Sequence, residues 1–278
     1  MKTVAIVGVG LIGGSFALAL RRAGFPGQIL GVSSPEVLAK ATASGVIDAG
    51  ASLEAAVPQA DLVYLSQSIG RILEVIPRLQ PLLRSDALVT DAGSTKAAIV
   101  AVADRSLPAG QFLGGHPLAG KELRGVEAAS ADLFEGRTYI LTPVRDADME
   151  ASRMRDFTSW LTKMGSLTIV MNPQDHDKTL ALTSHLPQVV STALASMLNH
   201  ADHRVKEAFG PALLDSTRLA LSPYEIWRDI LLTNHSEVEQ VLEAYINTLQ
   251  SMREHLNDDD LRKFFVDGAA FASQIRRK

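Results

Sequence analysis

Residues 3–14 read TVAIVGVGLIGG, and this stretch decides the fold class of the chain. Residues 3–8 form a short run rich in β-branched side chains, which predicts a strand that ends in glycine. From Leu11 onward the chain reads LIGGSFALALRRAG, with apolar positions at helical spacing and a stop at Gly24. The sequence therefore begins with a predicted strand, a tight turn and a helix.

The glycines of the turn follow the spacing G-x-G-x-x-G at Gly8, Gly10 and Gly13. In this pattern the glycines permit a tight turn, close approach of the backbone to a pyrophosphate, and close packing of helix on strand. The phosphates are held at the N-terminus of the helix, where Leu11 and Ile12 lie. We therefore predict a dinucleotide-binding site that includes these five residues.

The end of the second predicted strand bears on the choice of cofactor. It reads GVSSPE, so Ser33 and Ser34 stand where an acidic residue would bind the ribose hydroxyls of NAD. Without a carboxylate there, the 2′-phosphate of NADP is not repelled, and without an arginine it is not selected. The sequence admits NADP or NAD, with a slight preference for NADP. The alternative is that both serines only cap the next helix, with Pro35 in its first turn.

Strand-like runs alternate with helical or loop segments as far as Met171. They read TVAIVG, QILGVS, DLVYLS, ALVTDAG, QFLGG, RTYILTP and SLTIVM. Such alternation predicts a mostly parallel sheet covered by helices. Residues 1–171 are thus expected to form a Rossmann-type α/β domain that binds the dinucleotide.

Residues 172–278 carry long helical patterns and no convincing strand, which predicts an all-helical second domain. The clearest pattern is one apolar helical stripe formed by Val238, Val241, Leu242, Tyr245, Ile246, Leu249 and Met252. Because a domain of this size buries little by itself, we expect part of its apolar surface to contact a second copy, giving a homodimer. The alternative is an ordinary core within one chain.

Composition excludes several classes of function. The 27 basic and 31 acidic residues are intermixed and give a net charge of −4, so no basic face for nucleic acid is expected, and a small-molecule partner is favoured. The absence of cysteine excludes disulfides and thiolate metal sites, and His200 and His203 lack evident partner ligands, so no metal is expected. No stretch reads as a signal peptide or a membrane span, which indicates a cytoplasmic protein.

The stretch GGHPLAG, residues 114–120, sets His116 between glycines and a proline. Imidazole is the side chain most readily tuned for proton chemistry near neutral pH. We interpret the stretch as a loop after a strand, in which the glycines let the backbone approach a cofactor or substrate. A hydrogen-bonded turn residue is the alternative role for this histidine.

Other segments carry polar residues suited to chemistry. TDAGSTK contains Ser94 and follows a predicted strand, TSHLPQ contains His185, and LDSTRLALSPYEIWRDI contains Arg218 and Trp227. Each has an ordinary explanation when taken singly: a helix cap, a buried histidine, a surface arginine and a core tryptophan.

Together these segments resemble the prephenate and arogenate dehydrogenases of tyrosine biosynthesis. The resemblance runs in order along nearly the whole chain, from VGVGLIGGS through VTDAGSTK, GGHPLAGKELRGVEAA, LFEGRTYILTP and SHLP to DSTRLALSPYEIWRDI. It implies oxidative decarboxylation of a cyclohexadienyl acid, with hydride transfer to NAD(P), in a nucleotide-binding domain followed by a helical domain that dimerises. The printed chain has no chorismate mutase segment before these domains and no regulatory domain after them, which we interpret as the minimal form.

The resemblance also implies roles for individual residues. His116 matches the catalytic histidine that accepts the hydrogen bond of the ring hydroxyl, and Ser94 matches a serine that orients both groups. Arg218 matches an arginine that binds a substrate carboxylate. Further family positions that line or close the pocket are occupied by His185, Glu122 and Trp227.

Two departures from the family pattern affect the expected specificity. Gln188 stands where prephenate-using members often have a second histidine, which favours arogenate as a possible substrate. Arogenate carries an ammonium where prephenate carries a ketone, and Glu122 could serve that ammonium. The second departure is LSQSIG, residues 65–70, in place of a small-proline turn.

Two other functions remain compatible with such a chain. A β-hydroxyacid dehydrogenase or imine reductase would share the architecture but would leave GGHPLAG and DSTR unexplained. A non-catalytic NADP sensor would bind nucleotide without turnover, and fold alone does not exclude it.

Overall fold

A computed structural model describes residues 1–121 and 123–276 of the chain. Within them, one eight-stranded sheet runs in the order β3-β2-β1-β4-β5-β6-β7-β8. The strands are β1 (Thr3–Val7), β2 (Gln28–Val32), β3 (Ala49–Gly50), β4 (Leu62–Leu65), β5 (Leu88–Asp91), β6 (Phe112–Pro117), β7 (Thr138–Pro143) and β8 (Leu167–Val170). All seven strands predicted from the sequence are present, and β3 is the one that was missed.

The sheet is parallel except where β7 runs antiparallel to β6. The prediction of a mostly parallel Rossmann-type sheet is therefore confirmed. Since β1, β4, β5 and β6 point the same way, the Gly8 turn, the segment after Asp91 and the end of β6 lie at one edge of the sheet. Ligands bind at this carboxyl edge in open parallel sheets.

Helices α1 to α6 belong to the sheet-containing half of the chain. They are α1 (Leu11–Arg22), α2 (Pro35–Ala43), α3 (Leu53–Ala56), α4 (Ile69–Leu79), α5 (Ala97–Ser106) and α6 (Ser152–Lys163). Two hydrophobic clusters cover the two faces of the sheet. On one face Phe16 of α1 stacks on Tyr64 of β4 with ring centroids 3.9 Å apart, and on the other Ile72 of α4 packs with Ile99 of α5.

After Asn172 the described residues are helical or irregular, as predicted. The helices are α7 (Pro173–Leu180), α8 (Leu186–Asn199), α9 (Pro211–Thr217), α10 (Tyr224–Thr233), α11 (His235–Glu254) and α12 (Leu261–Ile275). A π-helical segment, Ala181–His185, joins α7 to α8. Ile230 of α10 is buried in the second sheet cluster, so the helical half packs directly on the sheet half. The division of the chain at residues 171 and 172 stays a prediction.

The predicted apolar stripe lies on α11, but one chain covers it only in part. Val238 is buried, whereas Ile246 and Leu249 are 45% and 47% exposed. On α12, Phe265 and Phe271 are 66% and 62% exposed. Apolar surface of this extent on neighbouring helices is typical of an interface. No helix in the described part of the chain combines the length and apolar character needed to cross a bilayer.

Candidate active site

The glycine-rich turn between β1 and α1 has the geometry of a phosphate cradle. Gly8 has φ +99°, a left-handed conformation that favours glycine. A Cβ added to Gly13 would lie 2.2 Å from the Gly8 carbonyl oxygen, whereas one added to Gly10 would meet none of the described atoms within 4 Å. The turn therefore packs tightly against the strand at Gly13 and leaves space at Gly10, in front of the helix.

The N-terminus of α1 is free to receive phosphate. Its N-cap is Gly10, none of the described side chains caps it, and its first turn, which includes Leu11 and Ile12, holds no acidic residue. Backbone N–H groups at such an end attract an anion. The residues present thus fit a dinucleotide pyrophosphate.

The turn after β4 has the sequence LSQSIG, which departs from the family pattern, and it contacts the glycine turn. The Ser66 hydroxyl donates to the Gly8 carbonyl at 2.7 Å, and the Asp229 carboxylate of α10 accepts from the Gly70 amide at 2.9 Å. The first contact braces the glycine turn, and the second ties the helical half to the N-terminus of α4. In the sequence, the unusual turn LSQSIG was the only sign of these two contacts.

The serines after β2 are not occupied as helix caps. Ser34 stands at the N-cap of α2, before Pro35, but its side chain makes no capping hydrogen bond. Ser33 is half-buried beside it. The first acidic residue after β2 is Glu36, whose carboxylate lies 3.2 Å from the Lys40 ammonium.

His116 lies on strand β6, which corrects the prediction of a loop. Its strand continues past Gly115 because β7 pairs with it, with His116 opposite Ile140. The side chain is buried, with the residue 7% exposed. The histidine is thus held by a sheet ladder at the ligand-binding edge.

The glycines before His116 were expected to let the backbone approach a cofactor or substrate, but they pack against neighbouring strands. A Cβ added to Gly114 would lie 2.2 Å from the Thr142 hydroxyl oxygen, and one added to Gly115 would lie 2.6 Å from the Asp91 carbonyl oxygen. Both glycines therefore make room for neighbouring strands of the protein and not for a ligand.

A buried ion pair lies directly behind β6. Lys96, after β5, pairs with Asp91 and donates to the Gly115 carbonyl at 2.8 Å. The Asp91 carboxylate also accepts from the Gly115 and Gly93 amides at 3.1 and 2.8 Å. These contacts hold the residue before His116 from two sides and place a cation near its ring.

The structure adds two residues that the sequence argument missed. Nδ1 of His116 lies 2.8 Å from Nε2 of His176, and Nδ1 of His176 lies 2.7 Å from the Asp177 carboxylate. Both new residues are buried on α7, which packs against α5 and β7. An adjacent His–Asp pair in NPQDHD was the only sequence signal, and it stands 60 residues from His116.

The histidines of the site are held neutral. Burial, followed by the charges of His176, Lys96 and His185, holds the pKa of His116 well below 6.5. Burial also lowers the pKa of His176, against the opposing effect of Asp177, and lowers that of His185 to about 4. A neutral imidazole keeps one ring nitrogen as an acceptor for a hydrogen bond or a proton.

His185 closes the π-helical segment and is oriented by two neighbours. Nδ1 of His185 lies 3.2 Å from the Asn234 side-chain nitrogen, which also donates to the Asp177 carbonyl at 2.8 Å. The His185 ring meets the half-buried Trp227 edge-on, with ring centroids 6.0 Å apart. Trp227 donates in turn to the Ser222 hydroxyl at 2.9 Å. The structure therefore brings His185, Trp227 and the α7 pair into one cluster.

Gln188 is buried on the first turn of α8. Its side-chain nitrogen donates to the Leu219 carbonyl at 2.9 Å and to the Thr192 hydroxyl at 3.1 Å. With both amide hydrogens engaged, the amide oxygen is the atom of this side chain that can still accept a hydrogen bond.

The remaining predicted residues stand apart in this single chain. Ser94 is half-buried in the segment between β5 and α5, and Arg218 is exposed at the start of a 3₁₀ turn, Arg218–Leu221. Neither side chain makes a hydrogen bond or ion pair with the described residues. Glu122 lies outside the described residues.

A dinucleotide cradle and a buried neutral histidine at the same sheet edge define a two-domain oxidoreductase that uses a nicotinamide cofactor. Comparison with known proteins shows to which family of oxidoreductases the chain belongs. Residues 16–170 match the family model for the nucleotide-binding domain of prephenate dehydrogenase, and residues 172–267 match the model for its dimerization domain.

Individual relatives agree with the family models. The prephenate dehydrogenase of Bacillus subtilis is 34% identical over 271 residues, covering 95% of this chain and 72% of that protein. The crystal structure of prephenate dehydrogenase from A. aeolicus in complex with hydroxyphenyl propionate and NAD+ superposes with a TM-score of 0.91 at 34% identity, covering 99% of this chain and 98% of that one. The crystal structure of Synechocystis arogenate dehydrogenase superposes with a TM-score of 0.84 at 27% identity, covering 99% of this chain and 100% of that one. The chain belongs to the prephenate dehydrogenase family.

Proposed function

We propose that this protein catalyses the oxidative decarboxylation of prephenate or arogenate, with hydride transfer to NAD or NADP. The observation that carries the proposal is His116, a buried neutral histidine at the ligand-binding edge whose Nδ1 is turned to His176. Its Nε2 is therefore the nitrogen available to a substrate hydroxyl. The product is 4-hydroxyphenylpyruvate from prephenate or tyrosine from arogenate.

His116 accepts the proton of the ring hydroxyl while hydride leaves the same carbon. When bound, the nicotinamide supplies the hydride acceptor, which no side chain can provide. Loss of the ring carboxylate as carbon dioxide then leaves an aromatic ring. Ser94, close in sequence to the Asp91–Lys96 pair, orients the hydroxyl toward the histidine.

Arg218 binds a substrate carboxylate in this proposal. Its guanidinium is exposed, and no carboxylate of the described residues pairs with it, so its donors are available. A forked cation suits a carboxylate. Arg218→Ala should therefore raise KM more than it lowers kcat, and a fall in kcat alone would contradict this role.

Gln188 bears on the choice between the two substrates. Its amide oxygen is an acceptor, which suits the ammonium of arogenate better than the ketone of prephenate. His185 and Trp227 line the same pocket, and Glu122 is the candidate residue for closing it. Gln188→His should move the ratio of kcat/KM values toward prephenate, and an unchanged ratio would remove Gln188 from the specificity determinants.

The cofactor preference follows from Ser33 and Ser34, whose hydroxyls leave room for the 2′-phosphate of NADP. We propose NADP as the slightly better cofactor. Ser33→Asp should shift the preference to NAD, because its carboxylate accepts from the ribose hydroxyls and repels a phosphate. Ser85→Asp, in the exposed turn before β5 at the opposite edge of the sheet, is a charge-matched control that should leave the preference unchanged.

We further propose that residues 1–171 bind the cofactor and that residues 172–278 dimerise and complete the substrate site. The exposed apolar side chains of α11 and α12 support a second copy as the partner. Analytical ultracentrifugation of wild-type protein and Phe265→Glu tests this, since a charge in the interface should yield monomer.

The first experiment mixes the purified protein with prephenate or arogenate, each with NAD or NADP, and follows the reduced nucleotide by absorbance. Turnover of at least one pair supports the proposal, and the best pair fixes substrate and cofactor. Binding of nucleotide without turnover in all four mixtures would overturn it and favour a sensor.

A further inference from the structure

Three buried side chains, one on β6 and two adjacent on α7, form a continuous line of hydrogen bonds. It runs from His116 on β6 through His176 to Asp177 on α7, with distances of 2.8 and 2.7 Å. All three residues are buried. A fully buried polar network of this kind holds one arrangement of its members.

The far end of the line is anchored by the backbone. One Asp177 carboxylate oxygen accepts from the Lys96 amide at 2.7 Å, and the other accepts from the Ala97 amide at 2.9 Å. Backbone N–H groups can only donate, so both of these partners require an acceptor on each carboxylate oxygen. Asp177 therefore acts as a fixed acceptor.

A fixed acceptor at one end determines where each hydrogen lies. The carboxylate requires the hydrogen of neutral His176 on Nδ1, which leaves Nε2 of that ring as an acceptor. His116 must then carry its own hydrogen on Nδ1. Its Nε2 lone pair is consequently turned away from the line and available to a substrate.

The other titratable groups near His116 cannot take over this task. Lys96 is held by Asp91 and by the Gly115 carbonyl, and as an ammonium it has no acceptor. His185 has its Nδ1 engaged by Asn234. His176 is thus the neighbour that can accept from Nδ1 of His116.

We propose that His176 and Asp177 are positioning residues that hold His116 in its Nδ1–H tautomer and stabilise the positive charge it gains during the reaction. This inference rests on the proposed function. In that reaction Nε2 of His116 takes the hydroxyl proton, and the hydrogen on the same carbon leaves as hydride with both electrons of its bond. The ring carboxylate departs as carbon dioxide, and the electron pair of its bond to the ring completes the aromatic ring. The phenolate oxygen then takes the proton back from Nε2, so no net proton is released.

Because the proton is returned, the base must hold it only briefly. A hydrogen-bonded line ending in a carboxylate stabilises an imidazolium without passing the proton to water. The line therefore suits the reaction better than an isolated histidine would.

Nitrogen-15 NMR of protein labelled in its histidines tests the tautomer directly, without substrate. The ring signals of His116 are assigned from their loss in His116→Asn. We expect the Nδ1–H tautomer of His116 in the wild type and in His176→Gln, because the glutamine oxygen can still accept its hydrogen bond. In His176→Leu, which offers no acceptor, we expect this tautomer to be lost. An Nε2–H tautomer in the wild type would overturn the proposal even if a variant failed to fold.

Kinetics separate positioning from a structural role. His176→Leu should lower kcat about 10- to 100-fold with KM nearly unchanged, and His176→Gln should recover most of the loss. His203→Gln, on an exposed histidine, is the matched control and should behave as wild type. An unchanged kcat, or equal losses in Leu and Gln variants that bind nucleotide normally, would contradict the inference.

The two proposals fail in different ways. Absence of turnover with all four substrate and cofactor pairs removes the proposed reaction but leaves the tautomer spectrum as it is. A wrong tautomer with normal turnover removes only the role of His176 and Asp177.

Discussion

Lys96 and Asp91 form an ion pair in which both side chains are 0% exposed, and the Lys96 ammonium also donates to the carbonyl of Gly115, the residue before His116. Desolvation lowers the pKa of Lys96, while Asp91 opposes that shift. The pair fixes β6 against β5 and supplies one of the charges that keep His116 neutral. The pair thus helps to fix the position of the histidine, and the charge of Lys96 adds to the larger effect of burial in lowering the pKa of His116.

The first prediction concerns removal of one partner of this pair. Lys96→Met leaves the Asp91 carboxylate buried without its cation, so the free energy of unfolding should fall by about 3–5 kcal/mol. Adding Asp91→Asn should restore part of the loss, because the uncompensated charge is gone. Urea unfolding of the wild type, both single variants and the double variant measures the coupling. Additive losses would show that the pair contributes no such coupling.

The second prediction uses the glycines around His116. Gly115→Ala should lower the free energy of unfolding by about 1–3 kcal/mol, because its Cβ would lie 2.6 Å from the Asp91 carbonyl oxygen. Gly120→Ala in the same motif is the matched control, since its Cβ would meet no described atom within 4 Å. Equal effects of the two substitutions on the urea midpoint would refute the strand-packing explanation.

The third prediction concerns His116 itself. His116→Asn keeps a nitrogen donor near the Nδ1 position for His176 but removes the base, so kcat should fall about 10²- to 10⁴-fold. Nucleotide affinity, measured by quenching of protein fluorescence, should stay nearly unchanged. A loss of activity below about tenfold would show that another group accepts the proton.

The fourth prediction is a pH dependence of stability. Burial lowers the pKa of His185 from 6.5 to about 4, so the unfolded chain takes up a proton in a range where the folded protein does not. The free energy of unfolding should therefore fall as the pH falls from 6.5 toward 4, by up to about 3 kcal/mol from this residue.

His185→Asn provides the comparison for that experiment. It keeps an acceptor for Asn234 but cannot titrate, so its stability should decline less steeply between about pH 7 and about pH 5. Urea unfolding at several pH values measures both slopes. Parallel curves for the two proteins would mean that the folded and unfolded states protonate His185 alike.

The strands could be predicted because their signal is local. Each of the seven runs has an apolar centre, six of them contain β-branched residues, and each is a strand of the sheet. Ala49–Gly50 was missed because a two-residue strand has no periodicity to detect. His116 was placed in a loop because glycine and proline indicate turns, and the pairing of β6 with β7 overrode that preference.

The sequence by itself determined the β1–α1 unit and its glycine turn, since Gly8, Gly10 and Gly13 act through the backbone of neighbouring residues. Which side chain sets the tautomer of His116 was decided only by tertiary structure. His176 stands 60 residues away and reaches the ring because α7 packs against α5 and β7. Periodicity reports which face of an element is buried, but which buried side chains meet depends on how the elements pack.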